Sequence, residues 1–555
     1  MLSIFLNWLY MLFTTFSIGF AFSVFAEKKL HYKMVRMDSI LITGFTMATV
    51  YAQIVSLFFR VNVEANICLT VLSFMIAVVW RKQIFSFLKQ AYRECTLIKK
   101  ILIIVVLLAW CYFTSRGYMP VDTDLYHAQS IRWIEEYGVV KGLGNLHSRF
   151  AYNSSVFAVS ALYSMKFLFG RSLHAVNGFL AFVLSIDLLD LGKCFQRKKM
   201  LLSDFARAGA VYYLTLIWNE IIAPSSDYAI TIVLFIIVIK WLTQLEDSEK
   251  RGNIAPYSLL CVLGVYALTL KLTAGLILLL LIKPAYTLLK EKRWKEIMIY
   301  LVLGLVTVAP WVARTVIISG WLLYPFPAID LFAVDWKMKD IYAINTDAAL
   351  IKAWAKASNT MGINAPLGKW FPHWFSTTLS FTHKLMIVGD LASCVLLVIT
   401  AIRIFVKKLW KQLDVLIVLL TILCSYLYWQ LTAPMPRYGY AYMLLLATLT
   451  LGYLLQDKKI RTFLYVFLMI VGLYKLYIGV DHIVRSRLVD AYVWQEDYNS
   501  YELEACEVDG VTIYYSPTDG CSGYDPFPSC GKSIIDAGIE LRGEGLKDGF
   551  RMPSP

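Results

Sequence analysis

Between Arg116 and Phe150 the chain reads RGYMPVDTDLYHAQSIRWIEEYGVVKGLGNLHSRF, and it sets Asp122, Asp124, His127, Glu135, Glu136 and His147 among aromatic rings. Outside the apolar runs no other stretch packs acids, bases and aromatics so closely. A carboxylate placed this way can take the proton of a hydroxyl that is about to attack. Two carboxylates two residues apart, Asp122 and Asp124, can also share a divalent cation such as Mg2+ or Mn2+, although an Asp-x-Asp pair alone is common. Each residue has a plainer use as well: Asp122 or Thr123 as a helix cap, and Asp124 as a complement to the helix dipole.

The residues after Pro120 predict a helix that starts near Asp122 and stops at Gly138. On it Tyr126, Trp133 and Tyr137 share one face, while Asp124, His127, Ile131 and Glu135 lie around the other. An aromatic face suits a helix lying on a bilayer surface, with its acids turned into a cleft. Four more ionisable residues, Asp227, Lys271, Arg314 and Arg437, stand at the outer ends of separate apolar runs. Charge there is costly without a partner, a cavity or headgroups, and singly each reads as a headgroup anchor. Together they suit a phosphate-bearing leaving group held by Lys and Arg, with a carboxylate base acting on an acceptor hydroxyl. His127 and His147 read first as structural, His127 also as a support to the site.

The elements that must position these residues are membrane spans. The 555 residues are 58% hydrophobic, 15% aromatic and 17% charged, with a mean hydropathy of +0.60, beyond the range of soluble domains. The net charge of +14 falls mainly in short links such as 27 to 38 and 81 to 100, so it records topology and not a nucleic-acid partner. Segment 81 to 100 is expected to lie along the inner surface as a basic amphipathic helix. The first run starts almost at Met1 but leads into EKKLHYK, which reads as a retained span and not a cleaved signal.

Charge placement puts the Asp122 loop and both termini outside. Residues 155 to 170 read as a re-entrant or interfacial helix and 173 to 191 as a crossing. The run 257 to 288 is too long for one span, so it predicts a hairpin with Lys271 at its outer turn. The expected architecture is an all-α polytopic bundle of about fourteen crossings, one of them at 462 to 480, with external interfacial helices. Its parts are three: residues 1–100, a core at 101–480 with external loops 116–172 and 318–383, and a small external tail at 481–555. In that tail VTIYYS is strand-like, and Cys521 and Cys530 can close a small loop in an oxidising compartment, leaving Cys506 over. Seven of the ten cysteines lie in or beside apolar runs and read as packing residues.

The arrangement resembles the GT-C superfamily of integral-membrane glycosyltransferases, and within it a bacterial branch whose loop reads much like DTDLYHAQSIRWIEEYGVVKGLGNLHSRFAYNSS and whose tail resembles LRGEGLKDGF. The likeness runs over most of residues 101 to 480 as spacing, and is specific around the loop, at Asp227, at Lys271, at PWVART and at PRYGY. It implies that Asp122 is the base, with Asp124 assisting it or ligating a metal. It implies that Asp227 lies beside the acceptor and that Lys271, Arg314 and Arg437 lie near a lipid phosphate. Tyr126, His127, His147 and Tyr438 would border these groups. The chain departs from the family in the spans that precede the loop and in Asp122-Thr123, where an acidic pair is usual.

The expected activity is transfer of a sugar from a polyprenyl-phosphate carrier to a hydroxyl of a glycan, lipid or protein. It would occur on the outer face of a bacterial inner membrane, in cell-envelope polysaccharide or glycolipid synthesis. Three alternatives stay open: a polymerase or ligase of lipid-linked glycans, which would lean on Arg437 and His147; a flippase or transporter of such glycans; and a scaffold binding partners through its loops.

Overall fold

A computed structural model of the chain describes residues 1–195, 197, 200–247, 249, 251–326, 328–338, 351–356, 365–455, scattered positions between 470 and 481, and 492–553. The expected span at 462 to 480 lies almost wholly outside them. Helix makes up 71% of the structure.

The apolar runs become helices, some of them started by a polar side-chain cap. In chain order these are α1 (Leu2–Leu30), α2 (Met37–Phe58), α3 (Val63–Val79), α4 (Arg81–Glu94) and α5 (Leu97–Ser115). The Asn62 side chain accepts from the Val63 amide to start α3, and Thr96 accepts from Lys99 to start α5. The short helices α6 (Ala128–Glu136), α7 (Leu143–Leu146), α8 (Ser155–Leu162) and α9 (Lys166–Phe169) follow on one face of the bundle. Then come α10 (Val176–Leu188), α11 (Leu202–Ile217), α12 (Ser226–Glu246), α13 (Ala255–Leu270), α14 (Ile282–Lys290) and α15 (Trp294–Ser319). The bundle ends with α16 (Leu367–Thr377), α17 (Phe381–Val406), α18 (Leu413–Thr432) and α19 (Pro436–Leu455).

Among the described residues nine helices are long and apolar enough to cross a membrane, or ten if the bent pair α3 and α4 is one span. Rows of exposed apolar residues run along their outer sides, as at Val395, Val398, Ile399 and Ile402 on α17. Together these make the chain a multi-pass membrane protein. Helix α10, at 13 residues, and α11 and α13, at 16 each, fall short of a full span by length. The segment 155 to 170 is not among the nine, since α8 ends at Leu162 and Met165 takes a left-handed turn before α9. At Lys271 the helix breaks: α13 stops, and a 3-10 stretch Leu272–Leu281 carries the chain into α14.

The start of the chain meets the start of the tail, where the amides of Leu2 and Ser3 donate to Tyr492 O and Val493 O at 2.8 and 2.9 Å. The tail is a small β unit. Strands β1 (Glu504–Val508) and β2 (Val511–Ser516) pair antiparallel around Asp509-Gly510, both at positive φ, the two-residue turn that matches strand twist. Strand β3 (Ser529–Gly531) lies parallel to β2, and β4 (Glu540–Leu541) pairs with β5 (Phe550–Arg551). Ile513, Cys530, Leu541 and Phe550 of this unit share one core with Trp133, Val140, Leu143 and Leu146.

That core corrects one expectation. Trp133 is fully buried, its ring 4.7 Å from Phe527 and 5.8 Å from Phe550, so the aromatic face of the loop helix packs under the tail and not on a bilayer. All ten cysteines are free thiols, Cys521 and Cys530 included.

Candidate functional site: a charged cluster on the loop face

After α5 the backbone is pinned by the Tyr118 amide donating to Asn219 O at 2.7 Å, and the Thr123 amide turns back to Pro120 O at 2.8 Å. The first turn after Asp122 is π-helical, Thr123–His127, and it passes into α6. The Asp122 side chain makes no cap bond. Its carboxylate instead meets the Arg437 guanidinium on one oxygen and Arg149 Nη1, at 3.3 Å, on the other. The helix-cap alternative for Asp122 is therefore not what this side chain does.

Three other elements bring their residues to the same place. Ser225 caps α12, which sets Asp227 in the first turn, where the helix dipole favours a carboxylate. Lys271 ends α13 and pairs with Asp227 Oδ1, while Arg437 Nε stands 3.5 Å from Asp227 Oδ2. Arg437 is placed by Pro436, the first residue of α19, and by Gly439 two residues on. A Cβ at Gly439 would run into the Trp429 ring, and Trp429 Nε1 donates to Met435 O at 3.0 Å to hold the turn before the helix. Tyr438 completes the group: Lys271 Nζ lies 3.8 Å from its ring centroid and Arg437 donates to its hydroxyl at 3.2 Å.

The cluster thus holds three cations and two carboxylates: Arg149, Lys271 and Arg437 against Asp122 and Asp227. Arg437 is 30% exposed, Lys271 26% and Asp122 21%, so a solute can reach it. Burial pushes the Asp122 carboxyl up, but Arg437, His127 and Arg149 outweigh it and hold the group below the usual carboxylate range. Tyr126, enclosed beside Asp122 and Asp227, is pushed well above the ordinary phenol value by burial first and those carboxylates second. His127 packs its ring on Tyr126 and Phe157 and is lowered to about 4 by burial, so it is neutral at pH 7 and borders the site.

Arg314, Asp124 and His147 are not members of the cluster. Arg314 is buried away from the cluster, donating to Asn153 Oδ1 at 3.0 Å and Ser56 Oγ at 2.5 Å, because α15 turns this residue toward α2 and the 153 turn. Asp124 faces the tail: Asn499 Nδ2 and the Tyr501 hydroxyl each donate to its Oδ2 at 2.8 Å, and the Ser522 and Gly523 amides donate to its carbonyl. Burial raises its carboxyl above the ordinary value despite those bonds. His147 accepts the Arg149 amide on Nδ1 at 3.2 Å and lies against Phe150, so it shapes the turn that carries Arg149.

Because Asp122 and Asp124 turn to different partners, they do not form the divalent-cation site that their spacing suggests. Among the described residues no group of three or more His, Cys, Asp and Glu side chains can hold a metal ion. Arg149 is the cluster member that the sequence did not single out, being one of four cations, with Arg116, Arg132 and Lys141, in the loop.

The spans and this cluster define a multi-pass membrane protein with a charged, solvent-reached site at one end of its bundle. The chain belongs to the family described as domain of unknown function DUF8201, whose model matches residues 1–444. No curated protein and no solved structure matches the chain. The family match takes in all five charged residues of the cluster and runs from α1 through residue 100 without a break, ending within α19.

Proposed function

We propose that the protein is a membrane glycosyltransferase that moves a sugar from a polyprenyl-phosphate carrier to an acceptor hydroxyl at the external face of a bacterial inner membrane, in the synthesis of cell-surface glycan or glycolipid. The observation that carries this reading is the convergence of Lys271, Arg437 and Arg149 on Asp122 and Asp227 from four separate parts of the chain. The family resemblance at the loop, at Lys271 and at PRYGY supports the same chemistry.

The step is a single displacement. The acceptor oxygen bonds to the anomeric carbon as the bond from that carbon to the phosphate oxygen breaks; the hydroxyl proton passes to Asp122 and the electron pair leaves with the phosphate. Lys271, Arg437 and Arg149 receive that growing negative charge, which is where fixed cations lower a barrier most. A phosphate that draws Arg437 and Arg149 away from Asp122 also strips the carboxylate of the charges that hold its proton affinity down. Donor binding thereby makes Asp122 a better base. Asp227 steadies Lys271 and lies beside the acceptor.

The test is sugar transfer from a polyprenyl-phosphate donor in membranes holding matched amounts of wild type and Asp122→Asn. The expected loss is about 10²- to 10⁴-fold, the range for removing a general base. Full transfer by Asp122→Asn sinks the mechanism.

A further inference from the structure

Helix α3 starts at the loop face, where Asn66 Nδ2 donates to Leu162 O of α8 at 3.0 Å, and it runs away from that face. At Trp80 the chain turns by 82° into α4, which therefore lies across the spans and not along them. It does so at the far end of the bundle. Lys99, shortly beyond α4, pairs at 2.7 Å with Asp190, which follows the last turn of α10. The first turn of α10 stands at the loop face, with Asn177 Nδ2 donating to Ser225 O at 2.9 Å.

No residue of α4 is buried, and a helix steps about 100° per residue, so its four sides are defined. Ile84 and Phe87 face the bundle, the Phe87 ring 6.0 Å from Phe16 and 5.9 Å from Phe20 of α1. Roughly a quarter turn on, Phe85, Leu88 and Tyr92 form an apolar stripe, 68%, 41% and 68% exposed. The next quarter carries Lys82, Lys89 and Arg93, and the last Gln83, Gln90 and Glu94, with Gln90 Nε2 donating to Glu94 Oε1 at 2.8 Å. With one side against the bundle, two placements are left. If the apolar stripe met water, Gln83, Gln90 and Glu94 would face hydrocarbon, where polar groups are costly. The stripe therefore points at the acyl chains and the Gln and Glu side at water. Lys82, Lys89 and Arg93 then point sideways, away from the bundle, at the level of the lipid heads.

Those three cations are unmatched. Arg36 and Lys99 nearby each hold a carboxylate, whereas Lys82, Lys89 and Arg93 pair with none among the described residues. Glu94, on the water side, is the only acid from 81 to 100. At 1.5 Å per residue the stripe spans about 16 Å of α4. We propose that this side of α4 is a binding surface for anionic membrane lipid, whose head phosphates meet Lys82, Lys89 and Arg93 while its chains pack under Phe85, Leu88 and Tyr92. A zwitterionic head brings its own cation to the same place, so the net attraction is for the anionic one. The surface stands apart from the transferase reading and holds or fails without it.

The experiment uses the full chain in phosphatidylcholine nanodiscs with trace phosphatidylglycerol or trace phosphatidylcholine, each probe carrying a diazirine on its acyl chain. After photolysis the labelled residues are mapped. Acyl label should fall on Phe85, Leu88 and Tyr92 and miss Gln83, Gln90 and Glu94; the reverse pattern, or no label on α4, overturns the placement. Relative to the same comparison on the outer side of α17, phosphatidylglycerol label on α4 is expected to exceed phosphatidylcholine label about five-fold, the worth of one surface cation to one anionic head. High salt should shrink that ratio toward parity. The triple variant Lys82→Gln, Lys89→Gln, Arg93→Gln changes only exposed side chains and should bring the ratio to parity with acyl label still present. Removing a cation elsewhere, with Lys407→Gln after α17, should leave it. Equal labelling by the two probes in wild type, or an excess that survives the triple variant, overturns the lipid preference. Inorganic phosphate at matched ionic strength should not lower the ratio; a selective loss would make the stripe a site for free phosphate instead.

Discussion

At the end of the bundle opposite the Asp122 loop, a second set of charges meets, and it is built the other way. Arg36, Lys99, Arg207 and Lys240 pair there with Asp38, Asp187, Asp190 and Asp204, each carboxylate at most 5% exposed. Asp187 alone touches Arg36 at 3.4 Å, Arg207 at 3.1 Å and Lys240 at 3.3 Å. Every carboxylate meets at least two cations, and water has little access to them. In the loop-face cluster the Asp122 carboxylate is 21% exposed, and Arg437 Nε makes no hydrogen bond. The first arrangement ties helix ends together; the second can trade one of its own carboxylates for the oxygen of a ligand. Burial, more than the count of charges, tells a clamp from a site.

The largest break in that comparison should come from Asp187→Ala. Removing one partner from a buried network leaves cations without compensation, at a cost of about 3–5 kcal/mol. Thermal unfolding in detergent should show a large drop in midpoint, while sugar transfer per folded molecule stays near wild type. A variant of unchanged stability would mean that the opposite-face cluster is not a clamp.

A smaller effect sharpens the other side. Asp122 has its folded pKa depressed, so its contribution to stability is present above the ordinary carboxylate value and fades as pH falls through the depressed one. Through the neutral range the group is charged and ready to accept a proton. Removing a nearby cation raises a carboxylate's pKa, by about one unit or more at contact distance. Arg149→Gln should therefore move the acid limb of the pH–rate profile for sugar transfer to higher pH by about one unit. A limb that stays put would remove Arg149 from the site.

The smallest effect concerns the tail. Tyr501→Phe deletes one donor to the Asp124 carboxylate, worth about 1 kcal/mol, or somewhat more because the acceptor is charged. Limited proteolysis should cut the β unit away sooner in this variant than in wild type, with no change in the unfolding of the bundle. Equal cleavage rates would show that the tail is held by its apolar core alone.

Much of this was legible in the residues. The apolar runs and the Lys271 break follow from hydropathy and from the cost of a mid-run lysine, and both are helices or helix ends in the structure. Asp122 stands out as an acid of the loop, and Asp227, Lys271 and Arg437 as charges at span ends, and they meet. Arg314 stood out on the same grounds and does not, because which way a side chain leaves its helix depends on how the helix is rotated against its neighbours. The apolar face of Trp133 and Tyr137 was equally visible, but apolarity does not say what covers it: a bilayer and the tail's Phe527 satisfy it alike. Asp124 was misjudged for a related reason, since its partner Asn499 is 375 residues away.

That separation also sets an order of events. The loop that carries Asp122 is translated early, yet Asn499, Tyr501, Ser522 and Gly523, which hold its neighbour Asp124, come only after α8 through α19 have been made. At about 5–20 residues per second, 375 residues take roughly 19–75 s, a long wait for a loop whose buried aromatic face has nothing yet to cover it. During that interval Trp133 and its neighbours stand uncovered on a half-inserted chain. The nascent protein therefore has a defined period of vulnerability on this face, closed when the β unit docks.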